Sequence, residues 1–132
     1  MKNSNEYQVK IRLLIGILGT LILGCSTQAY NPGDIYSVAD GDGRFGVVKV
    51  LAIDPGVIHL RIYRNKFDNR PETLDTKQLS LGRLGDEGGF GIGHLPIDVN
   101  GFTDWSPEFM VNDGVTPEEL EGYYIWKAES AK

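Results

Sequence analysis

One cysteine and two histidines among 132 residues leave this chain nearly bare of the side chains that build disulfides, thiol nucleophiles and metal sites. A lone cysteine cannot close an internal disulfide, so any fold here must rest on its core. No charge-free apolar stretch approaches the roughly 20 residues that a membrane-spanning helix requires; the longest runs only from Leu13 to Gly24. The chain has no Gly-x-Ser-x-Gly elbow and no P-loop lysine followed by Ser or Thr, which removes two common sequence marks of hydrolytic and phosphate chemistry. Its 13 basic residues, set against 18 acidic ones, form no cluster that could track a phosphate backbone, so no nucleic-acid partner is expected. No motif requires a cofactor.

What is present begins with an export signal. Lys2, Lys10 and Arg12 form a basic polar stretch, and the apolar run that follows has the length of a signal-peptide core. It ends in Leu21-Ile22-Leu23-Gly24-Cys25, which resembles the lipobox of bacterial lipoproteins: an aliphatic residue at minus three, a small one at minus one, then the cysteine. The resemblance implies a signal peptide over residues 1–24, thioether lipidation of Cys25 and acylation of the new amino terminus. The partner of Cys25 is then a membrane, held stably because two or three acyl chains anchor where one does not. Enteric lipoproteins kept at the inner membrane carry Asp after the cysteine. Ser26 stands there instead, so a lipid anchor in the outer membrane, facing the periplasm, is expected ahead of the inner one. The alternative is an ordinary secretory peptide cut after Thr27-Gln28-Ala29.

Removing the first 24 residues leaves 10 basic and 17 acidic side chains, a net charge of −7. Such a surface favours solubility and attracts basic partners. The roughly 100 remaining residues suffice for one domain, and at 41% hydrophobic the chain has the apolar content to fill a core. Residues 25–33 read as a lipidated tether closing on the Asn31-Pro32-Gly33 turn, and residues 34–132 as a single β-rich domain. Ile35 to Val38 is a short β-type run. Phe45 to Ile53 is nearly unbroken in apolar and β-branched residues, as a central strand buried on both faces would be. From Val57 to Tyr63 the residues alternate, placing His59, Arg61 and Tyr63 on a wet face. With turns at Asp40-Gly41-Asp42-Gly43 and Asp54-Pro55-Gly56, these segments predict an antiparallel meander. A strand weakened by Pro96 is expected over His94 to Val99. Thr116-Pro117-Glu118-Glu119 signals a helix start that Gly122 soon ends, leaving Tyr123 to Lys127 as a closing strand. The predicted class is mainly β, an α+β domain: a small, strongly curved antiparallel sheet or partly open barrel with one short helix near the C-terminus.

Candidate chemistry is sparse. His59 and His94 lie 35 residues apart outside any ligand-spaced motif, so His59 reads as a solvent-facing strand residue and His94 as a loop-end residue, and no metal site is expected. Asp40 to Gly43 has the acids and glycines of a calcium loop but lacks its third acid and closing glutamate, and a hairpin turn explains it. The glycines from Gly82 to Gly93 would admit a phosphate, yet Asp86 and Glu87 would repel it. A mobile surface loop offering Phe90 and Ile92 to a protein partner fits better. Trp105, set between Asp104 and Ser106-Pro107, is the first choice for an interface anchor.

Pro32-Gly33-Asp34-Ile35-Tyr36-Ser37-Val38, followed by Asp42 through Leu51, resembles the opening of bacterial immunity proteins of the immunity protein 26 type. In that family such a start leads through a glycine-rich hairpin into a long second strand. Three functions follow as expectations: a non-catalytic, envelope-tethered module binding an unidentified protein; an immunity protein against an exported toxin; and a small hydrolase or metal protein using His94 with Asp86 or Asp98. All three share the anchor. Intact-mass measurement of the native protein is expected to give a start at Cys25 carrying acyl mass; an unmodified thiol at that position, or a start at Tyr30, contradicts it.

Overall fold

A computed structural model describes residues 29–132. Cys25 and residues 1–24, expected to be an export segment, lie outside the described residues. Five strands form one antiparallel sheet: β1 (Asp34–Ala39), β2 (Phe45–Asp54), β3 (Val57–Phe67), β4 (Ile92–Asp98) and β5 (Glu108–Asn112). Their spatial order is β4-β3-β2-β1-β5, so the sheet stays open, with β4 and β5 as its edges. The β-rich antiparallel class and the β1–β2–β3 meander are as the sequence predicts.

The turns form for the reasons their residues suggest. Between β1 and β2 the Asp42 amide donates to Asp40 and the Arg44 amide to Asp42, while Gly41 and Gly43 take the positive φ values of 86° and 87° that other residues avoid. Those bonds occupy the carboxylates of the calcium-like motif within its own turn. Pro55 and Gly56 join β2 to β3, with Asp54 paired to Val57 across the hairpin.

Strand alternation gives the sheet two faces, and both are covered. On the first, Tyr36, Val38, Val48, Val50, Ile58 and Leu60 pack beneath Phe102, with Tyr30 and Trp105 alongside. Phe102 belongs to a short helix, α1 (Val99–Thr103), whose first turn is capped by the Asp98 carboxylate accepting from the amides of Asn100 and Gly101. On the second face Ile35, Val47 and Tyr63 pack beneath Leu74, Leu79 and Leu81. Further along that face lies a second helix, α2 (Glu121–Ser130), against His59. The two-sided apolar run of β2 is thereby explained, for Val47, Val48, Val50 and Leu51 are each at most 1% exposed.

Three expectations need correction. The face of β3 expected to be wet is covered by the returning chain, and His59 and Tyr63 are buried. The segment from Tyr123 to Lys127 is not a closing strand but part of the short helix near the C-terminus, and a further helix, α1, which the sequence did not lead us to expect, lies between β4 and β5. Gly122 does not end the helix but lies inside it. A Cβ there would stand 2.7 Å from the Cβ of His94, so only glycine lets α2 cross β4 this closely. The capping box forms as read: the Thr116 amide donates to Glu119 and the Glu119 amide to the Thr116 hydroxyl, at 2.9 and 3.3 Å. It opens a turn that delivers the chain into α2. Pro96 is tolerated because β4 is an edge strand.

Phe102 is fully buried, edge-on to Tyr30, Tyr36 and Trp105. Phe102→Ala is expected to lower the unfolding free energy in urea by about 3–5 kcal/mol; a loss below about 1 kcal/mol would mean that α1 does not seal the first face.

Candidate functional site

Trp105 sits at the exit of α1. Its amide donates to the Phe102 carbonyl at 3.0 Å, and its own carbonyl accepts from the Ala39 amide at 2.9 Å, tying α1 to the end of β1. Ser106 follows with φ 54°, a left-handed conformation unusual outside glycine, which turns the chain towards β5. The indole is half-buried, edge-on to Phe102. It is therefore the wall of a depression instead of a free-standing anchor. That depression is an open cleft of about 490 Å³. Its floor is apolar, from Val38, Val48 and Ile62, and its rim carries Asp40, Lys66 and Asp104.

The rim is electrostatically set. Hydrogen bonding from Asp42, side chain before amide, together with Lys66, holds the Asp40 carboxyl down at about 2 against the opposing effect of burial. The Lys66 ammonium is 3.2 Å from the buried Oδ2 of Asp40, which has no well-aligned hydrogen bond. Lys66 itself is exposed and can swing aside. Phe90 and Ile92 are exposed but line no part of this cleft. Their loop is packed around one side chain of β3. Arg64 lies against it, bonded to Asp86 at 2.9 Å, and a Cβ at Gly82 or Gly88 would come within 2.6 or 2.3 Å of the Arg64 side chain. Those two glycines make room for an arginine.

The second face brings together the histidines that sequence separation kept apart. His59 Nδ1 is 2.9 Å from His94 Nε2, and His59 Nε2 is 2.9 Å from the Asp54 carboxylate. Asp54 also accepts from Lys127 of α2. Burial lowers the pKa of His59, outweighing the opposite pull of Asp54, and burial also lowers that of His94, with the His59 charge adding to the effect. His94 meets neither acid expected for it: Asp86 pairs with Arg64, and Asp98 caps α1. Among the described residues no three His, Cys, Asp or Glu side chains are placed to hold a metal ion. Asp54, His59 and His94 form a chain, each ring nitrogen between them already engaged.

Beside this chain lies a cation the sequence hides inside an apolar run. Lys49 has a side chain 4% exposed and bonds Glu119 at 3.0 Å, with Asp113 at 3.7 Å. Arg61 also lies 3.7 Å from Glu119. One glutamate thus closes the capping box and pairs with the buried cation of the sheet. Glu119→Ala is expected to cost about 3–5 kcal/mol, because Lys49 is then buried without its partner, whereas adding Lys49→Met should recover much of the loss. Equal losses in the single and double variants, measured by urea denaturation, would refute the pairing. Comparison with protein-family models, with curated proteins and with solved structures finds no match to this chain.

Proposed function

We propose that this chain is a lipid-anchored, non-catalytic binding module of the cell envelope, and that the cleft beside Trp105 receives a basic side chain of a protein partner. The carrying observation is the pairing of an apolar floor and an indole wall with a carboxylate held ionised at the rim. Such a site suits Lys or Arg, whose aliphatic stem lies on apolar surface while the cation meets Asp40 and the face of Trp105. The net charge of −7 left after removal of residues 1–24 would steer a basic partner towards it. Anchoring on Cys25, in the outer membrane and facing the periplasm, supplies the setting.

A second reading is immunity against an exported toxin. It draws on the strand, glycine-rich hairpin and long strand over residues 34–54, which form in the order that the family resemblance implies. Loss of the gene would then sensitise cells to a sister strain, and unchanged survival in co-culture counts against it.

The first reading is tested by placing a photocrosslinker at position 105, or at 90 as a comparison, in intact cells. Position 105 is expected to capture one defined protein, position 90 not, and Asp40→Asn should abolish the capture. Equal yield from both positions, or capture of lipid alone, overturns the reading.

A further inference from the structure

We infer that His59 and His94 form a proton-sensitive latch for α2, which closes with at most one added proton and is parted by a second. Hydrogen-bond polarity fixes where the protons of the pair sit. A carboxylate only accepts, so His59 must donate from Nε2 to Asp54, leaving Nδ1 as a lone pair. His94 must then donate from Nε2 to that lone pair across 2.9 Å. The rings lie within 11° of coplanar with centroids 5.2 Å apart, so they meet edge to edge along this bond. One proton can join the outer nitrogen of His94 without disturbing it. A second must go to His59 Nδ1, and two N–H groups would then face each other where one hydrogen bond stood. Two imidazolium rings at this distance, one of them fully buried, repel.

The helix above depends on the pair. No residue of α2 is fully buried, and its ring contacts with the sheet centre on this pair. Gly122 rests on His94, while Tyr123 and Trp126 place their rings 4.7 and 4.5 Å from that of His59. Lys127 reaches Asp54. The titratable groups facing the pair are therefore Asp54 from β2 and Tyr123 and Lys127 from α2. Asp54 is held below its ordinary 3.8, Lys127 first among the causes, and Lys127 above its ordinary 10.5 by Asp54. Between about pH 5 and 7 the histidines alone change charge. Their values are lowered in the closed state, so the latch is at full strength above the ordinary 6.5 and is lost as pH falls through the lowered values.

Opening that takes up one to two protons grows about ten- to a hundredfold per unit of pH. Amide protection factors measured on the full chain from about pH 7.5 to about 4.5 should show α2 losing protection at that slope while β2 and β3 stay protected. His94→Gln, whose amide can still donate to His59 but takes up no proton, should reduce the slope to at most about tenfold per unit. Protection of α2 that is flat over this range, a His94→Gln profile matching the parent, or simultaneous loss across the whole sheet each overturns the latch.

Discussion

The Lys49 ammonium lies in the middle of β2, where a cation without a carboxylate would cost several kcal/mol. Glu119 answers it from 70 residues away, and in doing so fixes where the C-terminal segment must return. Much else on the second face follows from that return. The capping box turns the chain at Thr116, α2 is delivered across β4, and Gly122 is required where helix and strand touch. His59, on the same face of β3, is covered as a consequence and needs partners of its own; Asp54 and His94 supply them. A face that alternation marks as polar is thus covered with His59 hydrogen-bonded and Lys49 paired, while Arg61 Nε, 3.7 Å from Glu119, has no well-aligned hydrogen bond.

How much of this was legible depends on the range of the physics involved. Strands β1 to β3 and their turns are dictated by residues within a few positions of each other: Val and Ile alternation, Asx turns at Asp40 and Asp42, and Pro55-Gly56. The capping box is equally local. The histidine pair is not. Leu60 pairs with Leu95 only because the chain from residue 68 to 91 makes an excursion and returns, and nothing in its composition fixes that register. Lys49 sits in an apolar run that gives no sign of a distant glutamate. Tyr123 to Trp126 has the aromatic content of a strand, and its helix is set by the capping box before it and the seat beneath it. Strand β5 is five residues at an edge, too short to show a period.

The Pro32-Gly33-Asp34 start has a local cause as well. Gly33 takes φ 90°, and a Cβ on it would meet Gly114 at 2.7 Å. Asp34 is buried, accepting from the Asn31 amide, the Tyr36 hydroxyl and the Asn112 side chain. These residues tie the entry of β1 to the exit of β5. A motif with so complete a structural explanation can recur wherever a first strand must be pinned to an edge, and by itself it transfers no binding residue.

The same accounting applies to charge. Asp54 and Glu119 are spent inside the fold with Lys127, His59 and Lys49 as partners, and Asp34 on an amide, a hydroxyl and an asparagine side chain. What separates Asp40 from them is its position at the rim of an open cleft, with a single exposed lysine beside it. An incoming cation would displace only one exposed ammonium there, whereas at Asp54 it would have to displace Lys127 of α2. On the two proposals the faces would respond to different signals, one to a basic side chain and the other to protons, with β1 to β3 as the wall between them.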